Sequence, residues 1–238
     1  GLCLGLVVAA RSLRDFPGGW SWALLIRRER VRRLFTVNGD IFVRTLFLIS
    51  AFAFFTIQGA GIGELTLAAN AVLMNLQTFM AYALDGFANA AEAMVGRAAG
   101  ARNRDALSAA LRATLFWSVL VSGVFSLFYL AAGEHVIALL TDLPEVRTTA
   151  AEFLPWLVVS PLVSVWSYWL DGVFVGATLS RQMRDTMIVS ALLIYLPVWS
   201  LTRPLGNHGL WLALLVFMAA RALTMGFVAW HLRRRRVF

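Results

Sequence analysis

The sequence predicts an all-α fold, a polytopic bundle of helices that cross a membrane. Three observations predict it. Hydrophobic residues make up 60% of the 238, and the mean hydropathy is +0.73, too apolar for a soluble domain of this length. Several stretches run for about 20 apolar residues, the length that crosses a hydrocarbon core about 30 Å thick. All 21 basic residues are arginines, and they gather in the short connections between those stretches. A closed barrel would instead show alternating segments of about 10 residues.

Taken in order, residues 1–10 (GLCLGLVVAA) are apolar but too short to span a bilayer. No basic residue precedes Arg11, so the stretch does not read as a signal peptide. It reads as the tail of a preceding transmembrane helix, and the sequence as a piece of a longer chain. Residues 11–38 form a basic connector on the cytoplasmic side. Within it WSWALLIRRERVRRLF (Trp20–Phe35) places tryptophans and aliphatic residues before a basic run. It suits a short amphipathic helix lying against anionic lipid, or a plain tether between two bundles. Residues 39–233 hold six spans, at roughly 39–60, 65–95, 107–132, 149–178, 186–203 and 208–232. The longer ones extend past the lipid or tilt. Residues 234–238 are a basic cytoplasmic tail. Pro155 and Pro161 fall in the fourth span and Pro197 in the fifth. Each predicts a kink, either static or of the kind that transporters use.

The arginines orient the spans. Arg11, Arg14, Arg27, Arg28, Arg30, Arg32 and Arg33 lie in the connector. Arg97, Arg102, Arg104 and Arg112 flank the second loop, Arg181 and Arg184 follow the fourth span, and Arg233–Arg236 close the chain. Six alternating spans put these 17 of the 21 arginines on one side. The opposite loops carry Glu64, Glu134, Asp142 and Glu145, with Arg147 and Arg203 as their main basic residues. The arginine-rich side is cytoplasmic, and so are both ends of the sequence.

One motif, Tyr-x-Leu-Asp-Gly, occurs twice inside apolar spans, as YALDG at Tyr82–Gly86 and YWLDG at Tyr168–Gly172. In the second span Asn75, Thr78, Tyr82, Asp85, Asn89, Glu92 and Gly96 recur every three or four residues and so share one helix face. Leu73, Leu76, Phe79, Met80, Leu84, Phe87 and Met94 occupy the others. The polar stripe must face other helices or an aqueous cavity. The fourth span repeats the pattern with Ser160, Ser164, Ser167, Tyr168 and Asp171. Asp85 precedes Arg97 by twelve residues and Asp171 precedes Arg181 by ten, which puts both carboxylates roughly 15–18 Å from the cytoplasmic arginines. A carboxylate at that depth costs about 2.5–3.5 kcal/mol on insertion scales. Two accounts justify it. It exchanges a proton for a cation, the core of a cation-coupled carrier, or it is a protonated hydrogen-bonding group that holds helices together. Glu92 lies nearer the cytoplasmic rim.

Other features have simpler accounts. Asp40 and Arg44 are one helical turn apart and are expected to pair with each other. GAGIG at Gly59–Gly63 lacks the strand and lysine of a phosphate loop and reads as a tight outer turn. Cys3 is the sole cysteine, and His135, His208 and His231 are scattered, so no zinc site is formed. No catalytic motif occurs, so an enzyme is not expected. Nucleic acid is not an expected partner either, because the basic runs are not interleaved with aromatics.

The run from Asn38 through YALDG to EAMVGRAAGARN, and the later YWLDGVFVGATLSRQMRDTM, resemble the multidrug and toxic compound extrusion (MATE) transporters, in particular the DNA-damage-inducible protein F branch. The resemblance covers nearly all of this chain and half of the family fold. It implies twelve helices in two six-helix lobes, with this chain supplying the tail of the sixth helix and the whole C-terminal lobe. It implies a multi-pass protein of the bacterial inner membrane that exports small organic cations or drugs in exchange for protons or sodium, without a cofactor. Its partners would be that cargo, the coupling cation, membrane lipid and the missing N-terminal six-helix lobe. By this resemblance Asp171 falls in the tenth helix, where sodium-coupled members place a cation-binding carboxylate, and Asp85 and Glu92 fall in the eighth. The substrate and cation set is then Asp85, Asp171, Tyr82, Asn89, Glu92, Tyr168 and Asn75. The sodium pattern also uses an acid within the seventh helix. Here that helix offers only Asp40 at its entrance, which favours protons. The other readings are a flippase for lipids or lipid-linked oligosaccharides, which needs basic groups such as Arg44 or Arg221 in its cavity, and a non-transporting membrane scaffold.

Overall fold

The structure is a computed structural model that describes residues 2–13 and 27–234. Much of the connector, including Trp20 and Trp22, and residues 235–238 of the basic tail lie outside the described residues. The chain divides into two compact units, residues 1–38 and 39–238. In the first, Leu2–Leu13 form helix α1.

Helix α2 runs from Arg28 to Ile62. It therefore begins eleven residues before the span predicted at 39, because nothing in RERVRRLFTVN breaks a helix. Gly63 alone then makes the turn expected at GAGIG, and GAGI belongs to α2 rather than to a loop. Helices α3 (Glu64–Gly100), α4 (Arg104–Leu140) and α5 (Pro144–Gly176) follow. At 33 to 37 residues each is about 50 Å long, well beyond the hydrocarbon core. Asn103 caps α4, its side chain accepting the Ala106 N–H at 2.9 Å.

The last apolar run, Ser180–Leu232, has 53 residues. It is not one rod. Helix α6 (Ser180–Ile188), a π-helical turn (Val189–Tyr195) and helix α7 (Leu196–Thr202) make one pass, and helix α8 (Gly206–Arg234) returns. Gly206 makes the reversal at φ 57° and ψ −132°, a conformation open essentially to glycine. The Thr202 hydroxyl donates to the Gly209 carbonyl at 3.0 Å across the turn. The described residues thus make six apolar passes, as predicted.

The prolines act unequally. Helix α5 stays α-helical through Pro155 and Pro161. Pro197 follows directly on the π-helical turn, where the Leu196 N–H donates to the Ala191 carbonyl five residues back. Proline has no N–H for the carbonyl four residues before it, and widening the turn relieves its ring's clash there.

Close backbone packing is concentrated among α3, α4, α5 and α8. In lipid this packing comes from small residues and interhelical hydrogen bonds rather than from the hydrophobic effect. Helix α4 turns a stripe of Thr114, Ser118, Ser122 and Ser126 inward, one every four residues. Ser126 donates to the Val158 carbonyl and Tyr129 to the Leu76 carbonyl, both at 2.7 Å, and the Trp169 indole donates to Thr114 at 3.0 Å. At the end of the bundle near Gly63, Asn70 and Asn207 exchange amide hydrogen bonds at 2.7 and 3.0 Å, and the Trp211 indole donates to the same Asn70 oxygen at 3.0 Å. All three side chains are buried. Asn70→Ala leaves the Asn207 amide and the indole N–H without partners. The expected cost is about 1–3 kcal/mol, read as a lower unfolding temperature in detergent.

Candidate functional site

Helices α3 and α5 cross in parallel with their backbones almost touching. A Cβ on Gly172 would lie 2.1 Å from the Ala88 carbonyl oxygen, and one on Gly176 would lie 2.5 Å from that of Glu92. The two pairs share one offset, 84 residues, so Asp171 is level with residue 87. The aspartates of the two Tyr-x-Leu-Asp-Gly motifs therefore lie within about 3 Å of the same depth. The glycines explain why only the second motif sits at the crossing. A Cβ on Gly86 would meet nothing within 4 Å.

The two aspartates point into different surroundings. Asp171 is buried, 8% exposed, and it accepts from both Arg44 on α2 and Arg221 on α8. The Arg221 bond is 2.5 Å long, and both guanidiniums meet the same oxygen, Oδ2. Arg221 is 1% exposed, and its guanidinium also lies 5.8 Å from the Phe217 ring centre and 5.9 Å from that of Tyr168. Tyr168 is buried as well. Asp171 thus ties three helices together. It is not the open carboxylate expected from the sequence. Both guanidiniums occupy Oδ2, while Oδ1 is buried without a hydrogen-bond partner.

The pairing expected for Arg44 is also corrected. Asp40 pairs with Arg184 of α6 at 2.5 Å and accepts from the Ser180 hydroxyl at 3.2 Å. One turn separates Asp40 from Arg44 along α2, but both side chains reach across to other helices. A buried charge is held best by a partner that also satisfies its remaining donors, and a surface i,i+4 pair is worth only a few tenths of a kcal/mol.

Helix α3 carries the open half of the site. Leu73, Leu76, Met80 and Leu84 are buried against the bundle. Asn75, Thr78, Tyr82, Asp85, Asn89 and Glu92 are all exposed on this chain, Tyr82 to 73%. The polar stripe predicted from spacing is real, and none of the chain's described helices covers it. Asp85 stands at the edge of the buried charges and feels those of Asp171, Arg44 and Arg221. The serines of α5 face inward instead. Ser160 donates to Gln77 at 2.7 Å, and Ser167 donates to the Ser164 carbonyl at 2.9 Å. Of the seven predicted site residues, Tyr82, Asp85, Asn89, Glu92 and Asn75 share the open face, and Tyr168 and Asp171 lie behind it. The sequence reading did not bring in Gln77 or make Arg44 and Arg221 partners of Asp171. The signal was there, since two arginines within apolar spans need a carboxylate at their depth.

The MatE family model matches residues 41–199, which takes in five of the six passes. DNA damage-inducible protein F of Escherichia coli (strain K12) is 49% identical over 199 residues, which are 83% of this chain and 43% of that protein. A solved MOP superfamily transporter from Pyrococcus furiosus, described as having a binding pocket of reverse polarity that suggests a different function, superposes with a TM-score of 0.67 at 19% identity. It too matches 83% of this chain and 43% of its own. The chain spans less than half the length of both relatives. MatE members are transporters rather than enzymes. With the family match running through most of the bundle and 49% identity to a curated relative over 199 residues, the chain belongs to the MatE family.

Proposed function

We propose that this chain is the C-terminal lobe of a cation-coupled antiporter that exports small organic cations from a bacterial cell. The observation that carries the reading is the exposed face of α3. It presents two carboxylates, Asp85 and Glu92, with Asn75, Tyr82 and Asn89, and no basic side chain interrupts it. A long helix inside a membrane does not keep such a face toward lipid. Its natural cover is the opposing N-terminal lobe, with a water-filled cavity between the two. The match of this chain to 43% of its relatives leaves room for that lobe.

In this scheme residues 1–10 end the helix before the connector, residues 11–38 link the lobes in the cytoplasm, and the arginine-rich ends face inward. Rocking of the lobes exposes Asp85 to each side in turn. A coupling ion and the cationic cargo compete for the same carboxylate, and their unequal binding to the two states drives exchange. Protons suit the role better than sodium, because Asp40, the acid of the seventh family helix, is committed to Arg184 and Ser180.

The test is efflux of a fluorescent organic cation by the full-length protein under separately imposed proton and sodium gradients. Asp85→Asn should slow efflux about tenfold or more, the worth of one charged contact in a desolvated site. Tyr82→Phe should change it little. Undiminished efflux by Asp85→Asn under both gradients overturns the role given to Asp85, and no efflux by the unaltered protein under either gradient would leave the scaffold alternative standing.

A further inference from the structure

Side chains tie α5 to α8 at two levels. One tie is the buried pair of Asp171 and Arg221. The other lies roughly 20 Å away along both helices, where the Trp156 indole donates to Nδ1 of His208 at 3.0 Å. Glu152, one turn before Trp156 on α5, meets Nε2 of the same ring at 3.3 Å. The Phe153 ring packs against the imidazole with 4.7 Å between ring centres. His208 stands in the first turn of α8, directly after the reversal at Gly206.

This geometry fixes the state of the imidazole. An indole nitrogen only donates, so Nδ1 is the bare, accepting nitrogen, and the ring proton sits on Nε2, facing the Glu152 carboxylate. A second proton can enter only at Nδ1. There it turns the acceptor into a donor, and two N–H groups then face each other. In the same step the contact with Glu152 becomes one of cation with anion, so Trp156 is the partner that leaves. The backbone around the ring does not give. Asn207 is buried in its exchange with Asn70, and a Cβ on Gly209 would lie 2.0 Å from the Thr202 carbonyl oxygen. The His208 side chain is 47% exposed and that of Glu152 61%, so protons reach the ring. Glu152 is the charged group that meets it. Glu64, Glu145 and Arg203 stand at the same end of their helices, and among the described residues none of them pairs with the ring.

We infer that His208 is a pH-operated tie between α5 and α8, closed on Trp156 while the imidazole is neutral and released from it when the ring takes up a proton. Imidazole is the side chain whose charge ordinarily changes between about pH 5 and 8. The pair of Asp171 and Arg221 does not involve this ring, so release frees one end of the two helices and leaves their buried contact in place. With the arginine-rich ends in the cytoplasm, as proposed, the His208 end is outside the cell, and the tie answers to external acid. It is separate from the α3 face and does not depend on the export reading.

The test is fluorine NMR of the full-length protein in nanodiscs, with fluorotryptophan in place of tryptophan and the Trp156 line identified by its loss in Trp156→Phe. Between about pH 8 and pH 5 that line should move in a single step from one position to another. His208→Asn sets an amide oxygen near the place of Nδ1, an acceptor that does not titrate, and should hold the line near its high-pH position throughout. His208→Phe keeps the ring contact with Phe153 but has no acceptor, and should hold the line away from that position at every pH. Both changes fall at an exposed side chain, so the fold is kept. A Trp156 line that stays fixed in the unaltered protein, or one that moves with pH in His208→Asn as it does in the unaltered protein, overturns the inference.

Discussion

Asp171→Asn should lower the stability of the bundle by about 3–5 kcal/mol, the cost of stranding a buried charge. Asparagine keeps the size of the side chain and loses its charge. Arg221, 1% exposed, then keeps no ion-pair partner among the described residues. Arg44 loses the same oxygen but is partly exposed and can turn outward. The expected result is a lower unfolding temperature and a lower yield of monodisperse protein, with α2 and α8 loosened from α5. The double change Asp171→Leu with Arg221→Met removes the penalty with its cause and should restore more than half of the loss, since a packed apolar pair often equals a buried ion pair. Asp85→Asn, at an exposed carboxylate, should change stability within about 0.5 kcal/mol while slowing efflux about tenfold or more. The two aspartates of one repeated motif then separate cleanly, one holding the helices and the other meeting the cargo. An Asp171→Asn protein as stable as the original would show that the arginines are neutralised from elsewhere.

The difference between those aspartates marks what the sequence could and could not convey. Six passes follow from apolar length, and the stripe from Asn75 to Glu92 follows from a period of three to four residues, because both are properties of one helix. Whether Asp85 or Asp171 faces outward depends on which neighbours pack against α3 and α5, and periodicity on a single helix does not contain that. Arg44 illustrates the same limit. Its nearest acid along the chain is Asp40, and local spacing makes that pair the simplest. The three-dimensional arrangement offers Arg184 to Asp40 and Asp171 to Arg44, and burial makes the distant pairs worth more. The inward serines of α4 were readable from their four-residue spacing. So was the need of Arg221, deep in an apolar pass, for a partner, although not which acid it would be.

Gly172→Ala should be severely damaging although it adds only one methyl group. The new Cβ would meet the Ala88 carbonyl oxygen at 2.1 Å, its carbon at 2.7 Å and its Cα at 2.9 Å. Ordinary carbon–oxygen contacts are near 3.3–3.6 Å, so the helices must part by roughly 1 Å or more. All three atoms are backbone, and no rotamer change relieves them. Parting α3 and α5 there also pulls Gly176 away from Glu92 and shifts Asp171 relative to Arg44 and Arg221, so the loss extends beyond the clash. A destabilisation of about 3 kcal/mol, the upper end of single overpacking changes, is expected. Gly86→Ala, at the matching position of the first motif, meets nothing within 4 Å. There the gain in helix propensity, about 1 kcal/mol, is the only term expected. Thermal unfolding of the two variants should therefore shift in opposite directions. If both shifted alike, α3 and α5 would not cross where the glycines place them, and the shared depth of the two carboxylates, on which the assignment of Asp85 and Asp171 to one level rests, would go with it.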